Sequence, residues 1–118
     1  MKTLLNLEEI ATLIFAILLF SFTDIAWWWY AALFLAPDIG MLGYLINTKF
    51  GAISYNLFHH KGVAFMVIAA GLYFLDEWLV LTGSVLLGHS AFDRILGYGL
   101  KYPDHFKHTH LGWTNNKN

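Results

Sequence analysis

The segment Ile25–Ile46, IAWWWYAALFLAPDIGMLGYLI, decides the fold. It is long enough to span a membrane as a helix, which requires about 20 mainly apolar residues. Asp38 is its only charged residue, and Pro37 lies immediately before it. A proline inside a helix removes one backbone hydrogen bond and kinks the helix. The segment therefore predicts a membrane-spanning helix that is kinked beside a buried carboxylate.

The composition of the whole chain also favours a membrane protein. Of its 118 residues, 58% are hydrophobic and 13% are charged, whereas a soluble domain carries about 25% charged residues. Seven Lys and Arg against eight Asp and Glu give a net charge of -1, which excludes nucleic-acid binding through a basic surface. The chain has no cysteine, so disulfides and thiolate clusters are excluded as well.

Four segments are long and apolar enough to be spans. They are Leu4–Phe22, Ile25–Ile46, Ala52–Leu75 and Trp78–Leu100. The predicted fold is therefore all-α, a four-helix transmembrane bundle with short loops in which helix 2 is kinked at Pro37. Residues 1–100 would form the membrane domain, and residues 101–118 a polar cytoplasmic tail. Two alternatives stay open for this tail, which either folds back over the inner mouth of the bundle or is solvated.

The charges in the loops predict the orientation of the chain. Lys2, Lys49 and Lys101 lie at one end of the predicted bundle, and Asp24 and Asp76 lie at the other. Basic residues accumulate on the cytoplasmic side of membrane proteins. We therefore expect a multi-pass membrane protein with both termini in the cytoplasm.

Several ionisable residues inside the predicted spans lie at one depth. Asp38, His59 and Asp93 are seven or eight residues from the inner ends of their spans, which is about 11–12 Å at the helical rise per residue. His89 lies one helical turn from Asp93 and on the same face. Each such group costs about 2.5–3.5 kcal/mol to insert. We therefore expect these four side chains to face one another.

Two imidazoles and two carboxylates at one place are typical of a metal site that activates water. Because no thiolate is present, the donors suit zinc, manganese or iron. The alternative is a metal-free polar network in which the carboxylates orient the imidazoles. The expected residues are Asp38, His59, His89 and Asp93 as catalytic residues and metal ligands, Asn56, Arg94, Lys101 and Tyr44 as substrate-binding residues, and Glu8 and His110 as additional metal ligands.

Three functions are compatible with this pattern. The first is a hydrolase or transferase that acts on a lipid or amphipathic substrate, with Arg94 or Lys101 holding an anionic head group. The second is a conduit for protons or metal ions, or a transporter subunit, although the outer half of the predicted bundle has almost no polar side chain. The third is a non-catalytic module, with His59 and His89 either binding haem or fixing the helix register. The expected partners are the lipid bilayer and such a substrate, with a homo-oligomer as a further alternative.

The ordered motifs of the chain also resemble a known family. APD (36–38) followed by MLGYL, then GAISYNLFH, GHSAFDRILGYGLKYP and FKHTHLG are similar to the bacterial membrane family catalogued as domain of unknown function 4260. This resemblance covers essentially the whole chain and implies a protein of the bacterial inner membrane. A looser likeness is to membrane-bound metal-dependent hydrolases that combine a Pro-Asp pair with separated histidines. The matching positions are Glu8, Pro37, Asp38, Met41, Gly43, Tyr44, Tyr55, Asn56, His59, His89, Asp93, Arg94, Gly97, Gly99, Lys101, Thr109 and His110, whereas His60, His105 and His108 fall outside the pattern.

Overall fold

The computed structural model describes residues 1–113, and these are mainly helical. The helical class predicted from the sequence is confirmed, with one small hairpin added at the end of the described chain. Residues 114–118 of the predicted tail lie outside the described residues. The elements are α1 (Lys2–Ser21), α2 (Trp27–Leu33), a 3-10 helix (Ala36–Leu45), α3 (Thr48–His59), α4 (Lys61–Tyr73), α5 (Glu77–Ile95) and the antiparallel strands β1 (His108–Thr109) and β2 (Gly112–Trp113).

The second predicted span is broken rather than kinked. α2 ends at Leu33, and the 3-10 helix begins at Ala36 with Pro37 in its first turn. Proline is favoured at the start of a helix, where the missing N–H would have no partner in any case. The proline therefore begins a new helix instead of bending an existing one. Asp38 lies in the first turn of this second piece.

The third predicted span also consists of two helices. His60 has an extended backbone, with φ -85° and ψ 121°, and it separates α3 from α4. The Nδ1 atom of His60 accepts a hydrogen bond from the backbone N–H of Val63 at 3.3 Å. This side chain caps α4 by giving one of its first amide groups a partner. The prediction of one continuous helix over Ala52–Leu75 is therefore wrong.

α5 is the central helix, and both α1 and α4 pack along it. Glycine makes the close approach of α4 feasible, because a Cβ atom on Gly83 would lie 2.5 Å from Cγ1 and 2.7 Å from the backbone nitrogen of Ile68. Tyr30 crosses α5 from α2, and its hydroxyl donates to the Ser84 carbonyl at 2.8 Å. The apolar core between α1, α4 and α5 contains Ala16, Ala64, Ile68, Leu86 and Leu87.

Both helix breaks lie beside the same turn of α5. The carbonyl of Phe34, just after α2, is 2.7 Å from Nδ1 of His89. The carbonyl of His59, at the end of α3, accepts a hydrogen bond from Ser90 at 3.0 Å. The interruptions of the second and third predicted spans therefore meet at one level of the molecule.

Among the described residues, α1 is the one helix that is both long and apolar enough to cross a bilayer. α4 is apolar but shorter. Apolar exposure is not confined to α1, since the side chains of Trp27, Leu45 and Leu75 are 76%, 83% and 89% exposed. Large apolar side chains are therefore exposed on several elements of the structure.

Candidate metal centre

Asp38, His59, His89 and Asp93 converge in the structure, and we call them the Asp/His group. One ligand atom from each lies within 4.8 Å of the others. Nε2 of His59 is 3.3 Å from Oδ1 of Asp38 and 3.2 Å from Oδ2 of Asp93. Nε2 of His89 is 3.1 Å and 3.3 Å from the same two oxygens. Three separate elements, the 3-10 helix, α3 and α5, thus place four ligand atoms at one point.

Backbone carbonyls fix the tautomer of both histidines. Nδ1 of His59 lies 2.8 Å from the carbonyl of Tyr55, and Nδ1 of His89 lies 2.7 Å from that of Phe34. A carbonyl oxygen only accepts hydrogen bonds, so each Nδ1 carries the hydrogen. Nε2 of each neutral ring then presents a lone pair to the carboxylates. Metal-binding histidines are oriented in this way by a hydrogen bond from their second nitrogen.

A positive charge at its centre would stabilise the Asp/His group. Nε2 of His89 is within hydrogen-bond geometry of Oδ1 of Asp38, at 3.1 Å, but when both rings are neutral and carry their hydrogen on Nδ1, neither Nε2 nor either carboxylate oxygen donates. The side chains of His59 and His89 are only 3% and 1% exposed, and Nε2 of His59 is buried without a hydrogen-bond partner in the described part of the chain. Its carboxylate neighbours are within contact distance but outside hydrogen-bond geometry. A metal cation or added protons would offset this repulsion.

The spacing of the ligand atoms fits a metal ion. The four neighbouring N···O distances are 3.1–3.3 Å. A metal with bonds of about 2.0–2.1 Å holds adjacent ligand atoms about 2.8–3.0 Å apart in octahedral geometry and about 3.3–3.4 Å apart in tetrahedral geometry. Nitrogen and oxygen donors at this spacing are compatible with zinc, manganese and iron, the ions expected from the sequence.

Tyr55 supports the site, a role that the sequence reasoning missed. Its ring stacks on that of His59, with centroids 3.8 Å apart and planes at 10°. Its hydroxyl lies 3.4 Å from Oδ2 of Asp93, a long contact that makes a weak hydrogen bond at most. The signal in the sequence was the spacing, because residues four apart share one face of a helix.

A cavity of about 270 Å³ opens beside the two carboxylates. Asp38 and Asp93 line it, whereas His59 and His89 lie behind them. The side chain of Asp38 is 41% exposed and that of Asp93 14%. A small molecule in this cavity would therefore meet the carboxylate side of the Asp/His group. The other lining residues are Met41, Tyr55, Tyr98, Lys101 and Phe106.

The described part of the tail contacts the helices beside this cavity. The amide of Asn56 donates to the Lys101 carbonyl at 2.8 Å and accepts from the Lys101 N–H at 2.7 Å. Thr109 pairs with Lys101 through an isolated β-bridge. The ring of Phe106 contacts Tyr44 at 4.9 Å between centroids. Asn56, expected to bind substrate, is thus engaged in holding the tail.

The ammonium group of Lys101 is the cation that lines the cavity. Its ammonium donates to the Phe106 carbonyl at 2.9 Å and lies over the ring of Tyr55 at 4.5 Å. Burial lowers the pKa of Lys101, and the nearby carboxylates of Asp93 and Asp38 oppose that shift. The ammonium group has further donors with which to bind an anion.

The structure places the remaining expected residues away from the Asp/His group. Glu8 is exposed on α1, whereas Glu9 contacts Lys61. Nδ1 of His110 accepts a hydrogen bond from the backbone N–H of Leu100 at 2.8 Å. Glu8 and His110 are therefore not members of the group of potential ligands, contrary to the expectation of additional metal ligands.

The two other residues expected to bind substrate also lie elsewhere. Arg94 lines a different cavity, because adjacent residues of a helix point about 100° apart. The ring of Tyr44 packs over Gly51, where a Cβ atom would lie 2.2 Å from it. Its hydroxyl is buried without a hydrogen-bond partner among the described groups. Neither side chain lines the cavity beside Asp38 and Asp93.

The comparisons with known proteins identify a family but no activity. A family model described as "Domain of unknown function (DUF4260)" matches residues 2–114 of the chain, which confirms the resemblance found in the motifs. No curated protein matches, and no solved structure does.

Proposed function

We propose that this chain, which belongs to the DUF4260 family, is a membrane-embedded, metal-dependent hydrolase or transferase that acts on a lipid-like substrate. One observation carries the proposal. Two buried histidines, both with Nδ1 hydrogen-bonded to backbone carbonyls, direct Nε2 at two carboxylates that line a cavity.

Membrane embedding is supported by the apolar surface and by the position of the helix breaks. Large exposed apolar side chains occur on α1, α2, the 3-10 helix, α3 and α4 as well as on the loop after α4. Broken helices are tolerated inside a membrane where they are buried in protein or line a cavity. Both breaks here lie against the Asp/His group, a placement also typical of midplane sites in transporters.

The proposed topology follows the sequence prediction. Four segments cross the bacterial inner membrane with both termini in the cytoplasm, and the second and third each contain one break. Residues 1–100 form the membrane domain, and residues 101–118 form the cytoplasmic tail. The cavity beside Asp38 and Asp93 then opens toward the cytoplasmic side, because the tail residues Lys101 and Phe106 form its edge.

The residues of the site would have different roles in this reaction. A divalent metal held by the Asp/His group would lower the pKa of a bound water and polarise a substrate oxygen. His59 and His89 hold their positions through backbone hydrogen bonds, and Asp38 and Asp93 face the incoming substrate. The Lys101 ammonium binds an anionic group of that substrate.

A second, apolar cavity favours a lipid-like substrate. It measures about 260 Å³, and Pro37, the residue next to Asp38, is one of its lining residues. Ile39, Phe58 and Leu86 are among its lining residues. An acyl chain in this cavity would place its polar end near the Asp/His group.

The other two hypotheses fit the structure less well. A conduit needs a polar path through the outer half, but there the hydroxyls of Tyr30 and Ser84 donate to backbone carbonyls within the described core. Haem binding needs room for a macrocycle between two axial histidines. The rings of His59 and His89 contact each other edge to face, with centroids 4.9 Å apart.

Metal analysis of the purified full-length protein, combined with a lipid assay, tests the proposal. We expect about one divalent ion per chain, as in other sites of four protein ligands. Release of fatty acid or head group from phospholipid vesicles should stop after chelation and return with zinc, manganese or iron. Protein that carries no metal and does not acquire any would contradict the metal site. Metal-loaded protein that is inert toward phospholipids and acyl esters would contradict the lipid-directed activity.

A further inference from the structure

Another polar cavity is lined by the end of α5, by residues that do not belong to the Asp/His group. Its volume is about 470 Å³, and it shares no lining residue with the group or with the cavity beside it. Residues from both ends of the chain and from the end of α5 enclose it. They are Lys2, Leu5, Asn6, Glu9, Arg94, Gly97, His110 and Leu111.

The charged residues that line this polar cavity give it an excess of positive charge. Glu9 is the only acidic residue among the described residues that line it, and the Glu9 carboxylate is paired with Lys61 from α4. Arg94 has no acidic partner among residues 1–113, and Lys2 likewise forms no ion pair there. A guanidinium and an ammonium thus face the cavity without a counter-ion from the described chain.

The neutral residues of the lining add donors. Nδ1 of His110 accepts the hydrogen bond from Leu100, so Nε2 of the neutral ring carries the hydrogen. Burial, and next the charge of Arg94, lower the pKa of His110, which favours this neutral form. Asn6 contributes a carboxamide, and Leu5 and Leu111 contribute apolar surface.

We propose that this polar cavity, lined by Lys2 and Arg94, binds the phosphate group of an anionic phospholipid in the cytoplasmic leaflet. The planar guanidinium of Arg94 matches two phosphate oxygens, and basic pockets at the cytoplasmic ends of membrane helices bind acidic head groups. Leu5 and Leu111 lie where the glycerol and upper acyl carbons would pass. The inference rests on the membrane embedding of the proposed function, but it does not require the metal site or any catalysis.

Native mass spectrometry of the full-length protein in detergent tests this inference. The probes are phosphatidylglycerol, phosphatidylcholine and inorganic phosphate. We expect wild-type protein to retain phosphatidylglycerol in preference to phosphatidylcholine. Arg94→Gln should weaken phosphatidylglycerol binding about fivefold or more, the effect of one basic residue at an anionic membrane surface. Arg94→Lys should weaken it less, because it keeps the charge and loses the planar fork.

Lys49→Gln is the matched control, since it removes one exposed positive charge from the same end of the molecule but outside the cavity. It should leave phosphatidylglycerol binding unchanged. Equal losses in Arg94→Gln and Lys49→Gln, or no preference for phosphatidylglycerol in the wild type, would overturn the proposal. Binding of inorganic phosphate that displaces the lipid at millimolar concentration would assign the site to free phosphate instead.

Metal content measured on the same samples separates this inference from the proposed function. Arg94→Gln should keep its metal while losing lipid, because Arg94 does not belong to the Asp/His group. Wild-type protein that prefers phosphatidylglycerol but neither carries nor acquires a metal would support this inference and contradict only the metal-dependent function.

Discussion

The His89→Ala variant is expected to purify with less than about a tenth of the wild-type metal content, the largest effect that the structure predicts. His89 supplies one of four converging ligand atoms, and its side chain is 1% exposed, so water cannot easily replace it. Its removal also frees the Phe34 carbonyl from its contact with Nδ1. Lipid turnover should fall with the metal content. Elemental analysis of equal amounts of folded protein measures the effect.

The matched control is His105→Ala, which removes a histidine of the exposed tail and should leave the metal content unchanged. His59→Ala provides a second test, because it removes a ligand from a different helix. If both variants of the Asp/His group retain metal at the wild-type level and keep the wild-type melting temperature, the proposed metal site is wrong. Melting temperatures in detergent show whether each variant is folded.

The Gly83→Ala variant should be destabilised by about 1–3 kcal/mol, the usual cost of overpacking a close contact. The added Cβ atom would lie 2.7 Å from the backbone nitrogen of Ile68 and 3.0 Å from the carbonyl of Ala64. Backbone atoms cannot rotate away as a side chain can, so α4 must move away from α5. Thermal or denaturant unfolding of the full-length protein in detergent measures the loss.

Thr82→Ala is the control for this prediction. It introduces the same residue at the neighbouring, exposed position of α5 and removes only a hydrogen bond to the Trp78 carbonyl. We expect a change within about 0.5 kcal/mol. If the Gly83→Ala variant is as stable as the Thr82→Ala variant, α4 and α5 do not pack as closely as the structure shows.

The convergence of the Asp/His group was predictable from the sequence. The α-helical rise per residue predicted one level for Asp38, His59 and Asp93, but that arithmetic assumed continuous α-helices, whereas Asp38 lies in a 3-10 helix with a rise of about 2.0 Å per residue. The cost of isolated charges in an apolar environment then required them to face one another. The observed distances of 3.1–3.3 Å are a finer detail, since they depend on two helix breaks that bring Asp38 and His59 to α5.

The breaks themselves were predictable only in part. Pro37 indicated that the helix is interrupted. A kinked helix and two separate helices differ only in whether the residues before the proline stay helical, and the sequence does not show this. The stretch HHKG (59–62) interrupts the apolar sequence, but polar residues inside a predicted span do not by themselves show that the helix ends there. The role of His60 as a cap depends on the ring nitrogen reaching the amide of Val63. Capping by histidine is less frequent than by Ser, Thr, Asp or Asn.

The roles of the flanking polar residues required the fold. Arg94 follows Asp93 directly, and the turn of about 100° between neighbouring residues separates their side chains. Asn56 lies one turn from His60, yet the docked tail engages its carboxamide. Docking of a tail is a long-range event, and the sequence left it as one of two alternatives. In the described part, Asn56 contacts Lys101 and Tyr44 contacts Phe106, and these contacts connect the helices to the tail.

Anomalous X-ray scattering from crystals of the wild-type protein tests the central claim most directly. Data collected on both sides of the absorption edges of zinc, iron and manganese locate and identify a bound ion. We expect one anomalous peak, at about 2.0–2.2 Å from four atoms: Nε2 of His59, Nε2 of His89, one oxygen of Asp38 and one oxygen of Asp93. An ion found at another position, for example beside the tail histidines, would contradict this prediction. So would the absence of an anomalous peak when the four side chains have the described arrangement.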